Sequence, residues 1–268
     1  MNVKNWLEEA ILRLERADIA TARLDCLVLL EDAIGINRAN ILAHPEREIT
    51  DEQLKELASK LVRREAHQPL AYIRGKTEFY GREFIITPAV LEPRPESETM
   101  IELLLELDLP EKPHIVDVGT GSGALGITAK LEIPDAVVAL VDIDAAALGI
   151  ARKNTRKHGL ELSCVTDNLL ERAQRPIDII LANLPYVPDS YQINTAAHNE
   201  PRIAIFGGED GLDLYRTMFT QIDTKESKPK FILTESLPMQ HSALADIATS
   251  HGYALKTSSD FIQLFTLK

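Results

Sequence analysis

The chain has 268 residues, 45% of them hydrophobic, which is enough for one large domain or two smaller ones with cores of their own. A formal net charge of −12 denies it the global electrostatics of a protein that coats duplex nucleic acid, although a local basic patch stays open. Its two cysteines, Cys26 and Cys164, lie far apart and form no CxxC pair or Cys/His cluster, which argues against a disulfide framework or a metal site.

The opening segment, MNVKNWLEEAILRLER, places acidic residues where a signal peptide needs its apolar stretch. No apolar run approaches the roughly 18 residues of a membrane span, so a cytoplasmic protein is expected. WLEEAILRLERADI puts Trp6, Ala10, Ile11 and Leu14 on one helical face. TARLDCLVLLEDAIG continues as a helix, with Thr21 as its N-cap and Gly35 at its end. TDEQLKELASKLVRREAH starts a further helix, capped by Thr50 with acids in its first turn. Residues 1–75 therefore read as a small helical domain.

Near residue 76 the pattern changes. Aromatic and β-branched residues around Gly81 predict a hairpin within residues 76–92. From about residue 112 strands and helices alternate: HIVDVG, AVVALVDID, LSCVTDN, IDIILAN and FILTES are strands, and SGALGITAKLE and AAALGIARKNTRKHG are helices. YALKTSSDFIQLFTLK reads as a closing antiparallel pair, and residues 187–211 as the longest irregular stretch. Residues 93–268 are thus expected to form an α/β domain on a mostly parallel, doubly wound sheet.

Two strand ends carry chemistry. VDVGTGSGALGI ends a strand at Val118, places Gly119, Gly121 and Gly123 at alternate positions around Thr120 and Ser122, and opens a helix. Glycines there let a ligand approach the backbone, and free N–H groups at the helix start favour polar or anionic groups. The spacing fits neither the GxGxxG dinucleotide fingerprint nor a P-loop. Asp142 ends the next strand and can accept both hydroxyls of a ribose. Together these residues resemble the S-adenosylmethionine site of class I methyltransferases. The resemblance implies that the loop passes the methionine part, that Asp142 holds the ribose, that Asn168 borders the adenine, and that Asn183, at the end of the fourth strand, also contacts the cofactor.

The fourth strand ends in Asn183-Leu184-Pro185-Tyr186. This is similar to the (N/D)PP(Y/F/W) motif of methyltransferases that act on planar nitrogens. Such a nitrogen is a poor nucleophile because its lone pair is delocalised. Two acceptors aimed at its N–H groups, the Asn183 side-chain oxygen and the Leu184 carbonyl, orient it and ease charge build-up. Pro185 keeps Leu184 out of the helical region, and Tyr186 can stack on the flat group.

The planar nitrogen is a protein glutamine or an adenine. Leu184 in place of Pro resembles ribosomal-RNA adenine dimethyltransferases, so an adenine N6-methyltransferase acting on RNA or DNA stays open. A wider match, through TARLDCLVLL, HQPLAYIRGKTEFYGREFIITPAVLEPRPESETMIE, NLPYVP and EPRIAIFGGEDGLDLYR, resembles the peptide-chain release factor glutamine N5-methyltransferases. That resemblance implies methylation of the glutamine of the Gly-Gly-Gln loop in class 1 release factors. It also implies a helical N-terminal domain that helps grip the factor and a hairpin linker, residues 76–92, that joins the two domains. A monomer is expected, and the acidic balance and helical N-terminus speak against a direct nucleic-acid partner. The PRPExE segment, with Arg94 and Glu98, is expected near the mouth of the site. Departures are Leu184, Leu237 where the family's E-x-G-x-x-Q pattern has glycine, and a last strand without its usual arginine.

Overall fold

A computed structural model describes residues 1–173, 176–192 and 197–268. The chain forms two compact units, one of Met1–Gly75 with Ala197–Asn199 and one carrying the remainder.

The first unit is helical: α1 (Val3–Arg16), α2 (Ala22–Ile34), α3 (Arg38–Ala43), α4 (Asp51–Glu65) and α5 (Leu70–Arg74). α1 buries Val3, Trp6, Ala10 and Leu14, the stripe its spacing dictates, with Ile11 packed at its margin. α2 is the central helix; Cys26 through Leu30 are all buried, while Arg23 and Leu24 near its start are exposed. Burial pushes the Cys26 thiol up to about 12, which makes it an inert core residue. Gly35 closes α2 in the left-handed conformation. Thr50 forms a full capping box with Gln53. Thr21 corrects the sequence expectation: its hydroxyl donates to Asp25 and makes no side-chain cap bond. The expected helices omitted α3 and α5, whose 6 and 5 residues are too few for a periodic signal. Three pairs cross-brace the bundle: Arg64–Asp25 at 2.7 Å, Arg13–Glu65 at 2.8 Å and Arg74–Asp32 at 2.6 Å.

The second unit opens with an antiparallel hairpin, β1 (Lys76–Phe79) and β2 (Arg82–Ile85), turning at Tyr80-Gly81. Both turn residues have positive φ, as a tight hairpin of this twist requires. A short turn over Pro95–Ser97 leads into α6 (Glu98–Leu105). There follow β3 (His114–Val118), α7 (Ala124–Glu132), β4 (Val137–Asp142), α8 (Ala145–Lys157), β5 (Ser163–Thr166), β6 (Ile179–Ala182), α9 (Asp213–Asp223), β7 (Phe231–Glu235), α10 (His241–Ser250), β8 (Tyr253–Ser259) and β9 (Ile262–Leu267). Within the expected irregular stretch 187–211, residues 193–196 lie outside the described residues, and two short turns occupy part of the rest.

The strands make a seven-stranded sheet in the order β5-β4-β3-β6-β7-β9-β8. β3 to β7 run parallel, and β9 inserts antiparallel between β7 and β8. The expected α/β sheet and terminal antiparallel pair are both present. All four residues of β6 are buried. Ile179 and Leu181 join the core on one face of the sheet, and Ile180 and Ala182 the core on the other. Strand order reverses between β3 and β6, so the loops leaving these two strands diverge and open a crevice at their carboxyl ends.

Candidate active site

The glycine loop leaves β3 into that crevice. Gly119 has φ +70°, and a Cβ there would sit 2.9 Å from Leu184 Cδ2, so both backbone and space demand glycine. Gly121 has φ +53° but meets nothing within 4 Å, so its outer face is open to a ligand. The loop is fixed from below. Thr120 N–H donates to the Val141 carbonyl at 2.9 Å, and Gly121 N–H to Asp142 Oδ2 at 2.9 Å. Asp117 Oδ2 accepts from the Thr120 hydroxyl at 2.6 Å and from Gly126 N–H at 2.9 Å. Burial raises the Asp117 carboxyl to about 6, against the lowering effect of those two bonds and with some help from the Asp142 charge.

Asp142 accepts one backbone N–H on each oxygen, from Asp144 and Gly121. A carboxylate has about four lone-pair positions, so it retains capacity for two hydroxyls. Burial raises its pKa, and the backbone bonds oppose the rise. Asn168 follows β5; its backbone N–H donates to Asp167 Oδ1, and its side chain makes no hydrogen bond among the described residues. Gly119, Thr120, Ser122, Asp142, Asn168, Asn183, Leu184 and Pro185 all line one cleft, with Ile143, Leu125 and Leu214 among its apolar walls. Gly121, Gly123 and Tyr186 do not line it. The donor set suits a nucleoside with an attached charged chain: an acid with spare lone pairs for a ribose, apolar walls beside Asn168 for a flat ring, and the loop residues Gly119, Thr120 and Ser122 for the chain. Among the described residues no His/Cys/Asp/Glu cluster could hold a metal ion.

The loop after β6 is held as firmly. Asn183 Nδ2 donates to Glu235 Oε2 at 2.9 Å and to Ser97 Oγ at 3.0 Å. Its Oδ1 and the Leu184 carbonyl accept no hydrogen bond among the described residues. The Leu184 side chain is 2% exposed and packs in the core below the glycine loop. Leu184 N–H donates to the Tyr215 hydroxyl at 3.3 Å. The Tyr186 hydroxyl donates to Glu235 Oε1 at 3.1 Å; burial raises its pKa, and the neighbouring carboxylate adds to the rise.

The segment Gly207–Gly211 braces this loop from outside. Val187 exchanges backbone bonds with Ile205 and Gly207, both at 3.0 Å. Gln240 Nε2 donates to the Tyr186 and Asp210 carbonyls, each at 2.7 Å. Arg94 pairs with the buried Glu200 at 2.6 Å, and Glu98 accepts the Tyr80 N–H at 2.7 Å. Sequence reasoning missed Ser97, Tyr215, Glu235 and Gln240 as parts of the site. The available signal was ESLPMQ, which keeps the Glu and Gln of the family's E-x-G-x-x-Q pattern.

Comparison with known proteins bears on this arrangement. Residues 5–75 match the PrmC N-terminal domain, and residues 97–200 the methyltransferase small domain. A release factor glutamine methyltransferase of Deinococcus radiodurans is 32% identical, covering 97% of this chain and 95% of its own. One from Koribacter versatilis is 37% identical, covering 83% and 81%. The chain belongs to the release factor glutamine methyltransferase family. The resemblance read from its motifs is therefore correct at the family level. A solved methyltransferase from Pyrococcus furiosus superposes on it with a TM-score of 0.52 at 15% identity, covering 81% of this chain and 98% of that one. That likeness supports the class I methyltransferase fold of this family member. Among the described residues no helix is long and apolar enough to cross a membrane.

Proposed function

We propose that this protein transfers a methyl group from S-adenosylmethionine to the side-chain amide nitrogen of the glutamine in the Gly-Gly-Gln loop of class 1 release factors. One observation carries the reading: Asn183 has its amide NH2 tied inward, while its Oδ1 and the Leu184 carbonyl stand without partners among the described residues, next to the glycine loop. Two acceptors in that relation suit a primary amide, which presents two N–H groups in one plane.

The cofactor, when bound, supplies an electrophilic methyl group on a sulfonium. Asp142 would hold its ribose, the segment Gly119, Thr120, Gly121, Ser122 and Gly123 its methionine part, and Asn168 would border its adenine. Asn183 and Leu184 accept the two amide hydrogens and draw electron density onto the nitrogen. Pro185 holds the Leu184 carbonyl outward and Tyr186 covers the flat group. The proton leaves once the nitrogen is cationic, so no dedicated base is needed.

The adenine alternative rested on the Leu184 side chain. That side chain is buried under Gly119, which makes it a packing residue. The helical unit grips the release factor, the hairpin serves as linker, and the enzyme works as a cytoplasmic monomer without a nucleic-acid partner. Labelled cofactor with release factor, mapped by mass spectrometry, tests the reading. Label is expected on the loop glutamine, none on its Gln→Ala form and none on RNA or DNA oligonucleotides. Asn183→Ala is expected to lose at least about 100-fold in kcat with cofactor binding at least partly kept.

A further inference from the structure

We infer that Glu235 is the positioning residue that dictates which way the Asn183 amide faces, with Ser97 and Tyr186 as its supporting donors. The inference rests on the proposed role of Asn183 and deepens it. A side-chain amide is nearly symmetric in shape, so packing alone does not choose between its two orientations. Only one of them presents an oxygen to a substrate amide; the other presents N–H groups to N–H groups.

Glu235 makes the choice through its hydrogen-bond count. It ends β7, next to β6 in the sheet, and is 1% exposed. Oε2 lies within bonding distance of Asn183 Nδ2 at 2.9 Å and Ser97 Oγ at 2.5 Å, and Oε1 within 3.1 Å of the Tyr186 hydroxyl. A carboxylate can only accept, so all three neighbours must donate to it. The Ser97 proton is then committed to Glu235, which leaves Ser97 Oγ an acceptor for Asn183 Nδ2 at 3.0 Å. Both groups behind Asn183 are thus acceptors, and its oxygen has nowhere to point but the cleft. Burial raises the Glu235 pKa, and the bonds from Ser97, Tyr186 and Asn183 oppose that rise, favouring the ionised form that orients Asn183. None of these atoms is needed as a proton donor or acceptor in the proposed transfer, so the cluster is accounted for by orientation.

The decisive experiment exchanges polarity across the Asn183–Glu235 bond. Asn183→Asp alone sets two carboxylates against each other and is expected to lose at least 100-fold in kcat. In the double variant with Glu235→Gln, the introduced amide can donate through its Nε2 to the carboxylate now at position 183, while its Oε1 still accepts from Tyr186. That double variant is expected to recover at least tenfold over Asn183→Asp. Glu235→Ala is expected to lower kcat at least 100-fold while the KM for release factor and the calorimetric Kd for cofactor stay within threefold. Thermal midpoints establish that each variant is folded. A folded double variant no faster than Asn183→Asp overturns the assignment, as does a Glu235→Ala enzyme with kcat within threefold of wild type. Should Glu235→Ala not fold, the exchange pair alone decides. Failure of the wild-type enzyme to label the glutamine would sink the underlying reading instead.

Discussion

Asp117 is a carboxyl group placed where water cannot reach it, and the fold bears a cost for that. Its pKa stands at about 6, against an ordinary 3.8, because burial outweighs the bonds from Thr120 and Gly126. A carboxyl whose folded pKa is raised favours folding most below the unfolded value and loses that contribution as pH rises through the folded one. The cost above pH 6 is on the order of 3 kcal/mol, at roughly 1.4 kcal/mol for each pH unit of displacement. Asp117→Asn keeps an oxygen for both donors and removes the charge. In urea denaturation without cofactor it is expected to be more stable than wild type at pH 8 by about 2 kcal/mol. The advantage should fade as pH falls from 6 towards 4. An equal difference at both ends of that range would show that charge is not the cause.

At the scale of elements, the site is two strand ends locked together. Tyr215 on α9 is fully buried; its hydroxyl lies 3.1 Å from the Ala182 carbonyl at the end of β6 and bonds the Glu235 carbonyl at the end of β7. It also receives the Leu184 N–H, so one phenol fixes the backbone on both sides of Asn183, the proposed amide acceptor. Tyr215→Phe strands a buried N–H and a buried carbonyl and is expected to cost about 1–3 kcal/mol in a denaturant melt. Loosening Leu184 should also lower kcat about tenfold or more, since small misplacements of acceptors are costly. Much of this scale was legible in the sequence. Asp142 ends and Asn183 follows a recognisable apolar strand, Asn168 follows the short β5, and strand order brings all three to one crevice. The partners that orient them were not legible. Ser97 and Glu235 lie 86 and 52 residues from Asn183, and no local periodicity links them. Tyr215 sits on an ordinary amphipathic helix, where a buried aromatic reads as core.

For the whole molecule, the question is what the helical unit adds to an α/β unit that carries all the proposed site residues. The apolar core of the first unit draws its members from Val3 to Ile73. The two cores of the second draw theirs from Phe79 to Phe265. Each unit therefore buries its own apolar surface, and the proposed cofactor and amide groups all belong to the second. If the helical unit grips the release factor, its loss should affect recognition of a large partner and leave the chemistry intact. A fragment of residues 76–268 is accordingly expected to bind cofactor with near wild-type affinity and to methylate a short Gly-Gly-Gln peptide as fast as the full chain. With intact release factor its KM should rise at least tenfold, the equivalent of about 1.4 kcal/mol of lost binding. Steady-state kinetics with peptide and protein substrates side by side separate the two effects. Equal use of intact factor by fragment and full chain would remove the helical unit from substrate recognition. A loss on both substrates together would mean that the α/β unit needs the helices for its own fold.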